Sequence, residues 1–171
     1  MPTYHLTPAG RRPNAPDRET GDDLRRHGGH VLVSSVSSDS HTWNLVFLQL
    51  LLEELGHKVT NIGACVPDEL LIEECLRLRP DLVVISSVNG HGALDGARAV
   101  RRLRRDHPEL SGMRIVIGGK LGVRGAEAGT YGPELMDAGF DAVFEDAAGV
   151  DRFRRYLAHG GARAIASSDS R

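Results

Sequence analysis

Leu82-Val83-Val84-Ile85-Ser86-Ser87, followed by Val88-Asn89-Gly90-His91-Gly92, is the stretch that decides the fold. The run is almost continuously apolar until two hydroxyls end it. A strand with one wetted face alternates apolar and polar residues. An unbroken run instead marks a strand covered on both faces, as in a parallel sheet between helix layers. The dominance of aliphatics over aromatics suits the same arrangement.

Working outward, Pro67 and Asp68 open a helix that continues to about Arg79, with Leu70, Leu71, Cys75 and Leu78 inward and Pro80 closing it. Further back, His30–Ser37 is a β-rich run. Asn44–Leu55 then places Leu45, Leu48, Leu52 and Leu55 on one helical stripe, stopped by Gly56, and Lys58–Ile62 is a short strand. On the other side, a basic helix runs from the Gly-rich loop to near Arg105. Arg114–Ile117 is the fourth strand, and a helix at Pro133–Ala138, a strand at Ala142–Phe144 and a helix at Gly149–His159 complete the set. The expected fold is α/β: a doubly wound, Rossmann-like (flavodoxin-like) parallel sheet of five strands, order 2-1-3-4-5, with helices on both faces.

The 171 residues fit one domain, expected over 30–159, with a polar arm at 1–29 and a Gly/Ser/Asp tail at 160–171. A formal charge of -2 with no basic, aromatic-interleaved stripe argues against nucleic acid. The apolar stretch Leu45–Leu52 is too short to span a bilayer, and the polar first 29 residues do not read as a signal peptide, so the expected location is cytoplasmic. Cys65 and Cys75 lie outside any CxxC or Cys/His cluster; Cys75 reads as a small core residue and Cys65 as a loop residue.

In such a sheet, ligands bind beyond the carboxyl ends of the strands, at the switch point between strands 1 and 3. The loops there are Ser37–Trp43, Ser86–Gly92 and Gly118–Arg124. In the first, Asp39 and His41 stand two residues apart. A neutral imidazole can ligate a metal through one nitrogen while the other donates to a carboxylate. Equally, Asp39 and Ser40 are turn formers, Thr42 a helix cap and His41 a surface histidine. One histidine is too few for a protein-only zinc or iron site. The second loop offers hydroxyls and glycines that admit a bulky ligand, or is an ordinary βα turn. The third opens on Gly118-Gly119, where the chain bends sharply or passes close to something.

Together these motifs resemble the base-off/His-on B12-binding domains. Asp39-Ser40-His41 is similar to the Asp-x-His core of their Asp-x-His-x-x-Gly motif, Ser86-Ser87-Val88 to their Ser-x-Leu/Val segment and Gly118-Gly119 to their Gly-Gly segment. Ser38-Asp39-Ser40-His41, Asn61-Ile62-Gly63 and Gly90-x-Gly92 resemble the small subunit of glutamate (methylaspartate) mutase in particular. Two positions depart from the pattern. Asn44 stands at the motif's glycine, beside Trp43, and Glu145-Asp146-Ala147-Ala148 replaces a neutral Gly/Pro-rich turn.

The resemblance implies that His41 is the lower ligand to the cobalt of cobalamin, with Asp39 bonded to it. Ser38, Asp39, Ser40, His41 and Thr42 would face the corrin. Ser86, Ser87, Val88 and Gly90 would meet the displaced nucleotide tail in a slot. Gly118, Gly119, Lys120, Leu121, Gly122, Val123 and Arg124 would line its other side. It further implies adenosylcobalamin as cofactor and a barrel-type large mutase subunit as partner, in a heteromer, with homodimer and heterotetramer both open. The reaction implied is the interconversion of glutamate and 3-methylaspartate, with no catalytic group on this chain beyond the cobalt ligand. The 29 residues before strand 1 are too few and too polar for the helical cap of methyl-transfer corrinoid proteins. The rival reading is a cobalamin carrier or regulator without mutase activity, in which the basic helix (Arg98, Arg101, Arg102, Arg104, Arg105) serves contacts. A phosphorylation receiver shares the strand order but needs an Asp where Ser86 and Ser87 stand, and the aromatics that stack a flavin are missing.

Overall fold

The computed structural model describes residues 28–123, 130–145 and 148–160. The expected arm up to residue 27, the tail beyond 160, Arg124 and Asp146 lie outside the described residues. The strands are β1 (His30–Ser34), β2 (Lys58–Asn61), β3 (Leu82–Ser87), β4 (Arg114–Gly119) and β5 (Ala142–Glu145). The helices are α1 (Trp43–Glu54), α2 (Asp68–Leu78), α3 (Gly92–Asp106), α4 (Gly132–Ala138) and α5 (Gly149–Ala158), with a 3-10 turn at Pro108–Leu110. All neighbouring strands are parallel, in the order β2-β1-β3-β4-β5, which is the order the alternation of elements implied.

β3 is buried along its whole length, as an unbroken apolar run requires of a central strand. Its side chains alternate between two cores. Val83 and Ile85 pack with Leu71, Cys75, Val100 and Leu135 on the side of α2, α3 and α4. Leu82 and Val84 pack with Leu45, Leu52, Phe153 and Leu157 on the side of α1 and α5. The same alternation sends the two hydroxyls at the end of β3 to opposite faces. No described helix is long and apolar enough to cross a membrane.

Two stripe assignments need correction. α1 buries Leu51 at 4% exposure, while Leu55 is 46% exposed because the helix ends at Glu54. On α2, Ile72 is buried and Leu70 faces outward. β1 ends at Ser34, three residues before the expected Ser37, and Ser35 starts the loop that carries the site.

Candidate functional site

The β1–α1 loop places Asp39 beneath His41. Asp39 has no exposed surface. Its Oδ1 accepts the His41 backbone N–H at 3.0 Å and lies 2.6 Å from His41 Nδ1. Its Oδ2 accepts the Ser87 hydroxyl at 2.9 Å and the Val88 N–H at 2.7 Å. Burial pushes the carboxyl up, but the backbone N–H groups of His41 and Val88 and the side chains of His41 and Ser87 together outweigh it and bring it down to about 2. An ionised carboxylate can only accept, so the short contact puts the imidazole proton on Nδ1. In the neutral ring this leaves the lone pair on Nε2, on a side chain that is 48% exposed. That is the tautomer in which an imidazole binds a metal while a carboxylate fixes its orientation.

Neighbouring loops brace this pair. Asn89 Nδ2 donates to the Ser38 carbonyl at 2.8 Å, and Asn89 Oδ1 accepts the His91 N–H. Ser38 Oγ donates to the nearly buried Asp95 of α3. Arg98 in turn bonds Asp95, Asp68 and Ser37 Oγ. From the β2–α2 loop, the Cys65 N–H donates to the Asp39 carbonyl at 2.8 Å, with Cys65 held at φ 51. Thr42 makes no side-chain cap for α1.

Beside the loop, the first turn of α1, the ends of β3 and β4, β5 and the start of α5 line a cleft of about 170 Å³. Trp43, Phe47, Leu48, Phe144, Val150 and Phe153 give it an apolar wall, and Asn44 and Ser86 are its polar side chains. Ser86 pairs with Gly118 and Ser87 with Gly119 across β3 and β4. Gly119 has φ +115, and a Cβ there would lie 2.2 Å from the Ser87 carbonyl oxygen. Only glycine lets the two strand ends approach so closely.

The structure thus brings Ser38, Asp39, His41, Ser87 and Val88 into one network, and Ser86, Val88, Gly118 and Gly119 into the cleft wall. Lys120, Leu121, Gly122 and Val123 are not part of that wall. Leu121 is buried in the opposite core, and the Lys120 and Leu121 carbonyls accept from Gly90 and Ala93. Gly90 therefore belongs to the turn that joins these loops. Phe47, Leu48, Phe144 and Phe153 are cleft residues that the sequence reading passed over; Trp43 and Phe47, one helical turn apart at the start of α1, were the available signal. Among the described residues no group of three or more His, Cys, Asp or Glu could hold a metal ion. A single imidazole in the loop that leads into an apolar cleft wall suits a metal whose other ligands arrive with an organic macrocycle.

Comparison with known proteins agrees with this geometry. The B12 binding domain family matches residues 29–151. The glutamate mutase sigma subunit of Treponema denticola is 30% identical over 114 residues, covering 67% of this chain and 81% of that one. The sigma subunit of Fusobacterium nucleatum is 28% identical over 115 residues, covering 67% and 83%. The Methanosarcina barkeri monomethylamine corrinoid protein superposes with a TM-score of 0.60 at 18% identity, over 78% of this chain and 59% of its own length.

Proposed function

The chain belongs to the B12-binding domain family, and on that premise we propose that it is the cobalamin-carrying small subunit of an adenosylcobalamin-dependent carbon-skeleton mutase of the glutamate to 3-methylaspartate type. The observation that carries the reading is the Asp39–His41 pair, in the loop that runs directly into Trp43 and Asn44 of the cleft wall. Sigma subunits of glutamate mutase among its relatives support this reaction type.

His41 offers Nε2 to cobalt, and Asp39 holds the opposite N–H so that the ring cannot turn away. Ser38, Ser40 and Thr42 would face the corrin. Ser86, Val88, Gly118 and Gly119 shape the cleft that takes the nucleotide tail. When bound, adenosylcobalamin would supply the radical chemistry of its cobalt–carbon bond, and His41, Asp39 and the cleft residues would hold and position it. The residues present fit the group: a lone imidazole whose Nδ1 meets a carboxylate, an apolar cleft and glycines where backbones must pass closely. Substrate recognition and cover for the other corrin face fall to a barrel-type catalytic partner.

Titration with adenosylcobalamin, followed in the visible spectrum, tests the proposal. A base-off/His-on spectrum is expected for the wild type and its loss for His41→Ala. Turnover of glutamate is expected only after the barrel subunit is added. Cobalamin binding without turnover in that mixture would point to a carrier or regulator instead. No binding in either setting would overturn the cobalamin reading.

A further inference from the structure

The loop that carries Asp39 and His41 is gripped from α3. The chain reverses over Val36–Asp39, where the Asp39 N–H donates to the Val36 carbonyl at 3.1 Å. Val36 is rooted in the core, while Ser37 and Ser38 are the two middle residues of the turn and Ser38 is exposed. Two serines offer no apolar surface to fix a turn, yet both hydroxyls here are tied to α3. Ser38 Oγ donates to Asp95 Oδ2 at 2.5 Å, and Arg98 donates to Ser37 Oγ at 3.1 Å. The Ser38 hydroxyl thereby uses its one proton, and it still accepts from Asn89 Nδ2 at 3.1 Å. Asp95 is only 9% exposed, and its other oxygen takes Arg98 at 2.6 Å. Arg98 also grips the Asp68 carboxylate of α2 at 2.7 and 3.0 Å. A continuous run of bonds thus leads from α2 through Arg98 and Asp95 to Ser38, the residue before Asp39.

An acid in the first turn of a helix complements the helix dipole. That role does not require Asp95 to be buried against the hydroxyl of a neighbouring loop. Arg102 and Glu69 give the contrast, since they join the same two helices one turn further along α3. Resting on the cobalamin reading above, we propose that Asp95, steadied by Arg98, is a positioning residue for the cobalt ligand: through Ser38 it sets the turn from which Asp39 holds the His41 ring. Both groups act through the loop. They determine how firmly the imidazole is presented, and a ring aligned beforehand loses less freedom on meeting the metal.

The test reads amide hydrogen exchange in the cobalamin-free protein by NMR and, separately, the affinity for adenosylcobalamin. The wild type is compared with Asp95→Ala, Ser38→Ala and Arg102→Ala. The amides of His41 and Val88 donate to the Asp39 carboxylate and that of Cys65 to its carbonyl, so the three report on the loop. Asp95→Ala and Ser38→Ala are each expected to speed exchange at these amides about tenfold, while Val84 and Ile117 in the sheet exchange as in the wild type. Both variants are expected to weaken adenosylcobalamin about three- to tenfold, with a smaller His-on fraction in the visible spectrum. The double variant should be no worse than either single one, as two ends of one contact require. Arg102→Ala removes another tie between α2 and α3 and is expected to leave the three amides and the affinity within about twofold. Exchange is read without cobalamin, so a direct contact of Ser38 with the corrin cannot produce the change. If Asp95→Ala does not fold, Ser38→Ala, at an exposed loop residue, decides. Unchanged exchange at His41, Cys65 and Val88, or equal acceleration at Val84 and Ile117, would overturn the inference. Faster loop exchange with unchanged affinity would overturn it too, by removing the effect on the ligand. A wild type that binds no adenosylcobalamin, alone or with the partner subunit, would overturn the cobalamin reading, and faster loop exchange in the variants would still establish the tie from Asp95 to the loop.

Discussion

Asp39 stays charged in a place water does not reach, because four donors surround its two oxygens. Its carboxyl falls from 3.8 to about 2 on folding. A depressed carboxyl stabilises the fold above its unfolded value and loses that contribution as the pH drops. The stabilisation from Asp39 is thus complete above about pH 4 and fades toward pH 2, with a size of roughly 1–2 kcal/mol after allowing for solvent screening. Asp39→Asn is expected to lower the urea midpoint at pH 7, with the gap to the wild type closing as the pH falls from 4 to 2. A gap that holds constant over that range would remove Asp39 as the acid-sensitive group. The cysteines divide in a similar way. Burial pushes the Cys75 thiol up to about 12, whereas Cys65 is exposed. Alkylation of the native protein is expected to label Cys65 alone, with Cys75 reacting only after unfolding. At this scale Asp39 and His41 were legible because their chemistry needs two residue types at one short spacing. Asn44 was read only as a departure from a motif. Its burial depends on which way α1 is turned, and no local pattern encodes that.

α1 shows why. It buries Leu45, Leu51 and Leu52, yet Trp43, Val46, Phe47 and Leu50 are exposed by 64%, 50%, 44% and 61%. A helix that is apolar nearly all round gives periodicity no face to choose, so the sheet decides the rotation. α3 is the opposite case. Its arginines read as a solvated face in the sequence, and Arg98, Arg101 and Arg105 are exposed, though most of them also pair with acids of the same chain. Arg102 pairs with Glu69, Arg105 with Asp106, and Arg98 with Asp68 and Asp95. Arg104 goes furthest, donating to the carbonyls of Leu110, Met113 and Gly139 and to the Asp141 carboxylate. These ties fix the end of α3 to the starts of β4 and β5. A planar guanidinium can serve several acceptors at once, and an ammonium on a flexible stem cannot reproduce the set. Arg104→Ala is expected to cost about 2–4 kcal/mol, with Arg104→Lys recovering less than half, measured by chemical denaturation. Full recovery by lysine would reduce Arg104 to a generic charge.

Across the whole molecule, two cores flank one sheet, and the cleft opens on the α1–α5 side, at the carboxyl ends of its strands. Strand alternation and crossover rules made that location legible from sequence, since a doubly wound sheet has one place where adjacent connections diverge. The cleft's shape was not legible, because its walls come from α1, β5 and α5, which lie far apart in the chain. This geometry makes ligand binding a property of the global fold. Cobalamin that binds the folded chain alone stabilises it by about 2.7 kcal/mol at a free concentration of 100 times Kd. For a chain of this size the melting temperature should then rise by roughly 5–11 °C. Trp43, the one tryptophan in the sequence, lines the cleft, so its emission reports occupancy of that site. The thermal shift and the quenching of Trp43 are expected to follow the same dependence on cobalamin concentration, and both should weaken together in His41→Ala. A thermal shift that leaves Trp43 emission unchanged would place the corrinoid away from the cleft. The route from Asp39 through His41 to the cleft would then fail as a unit, while the fold would stand.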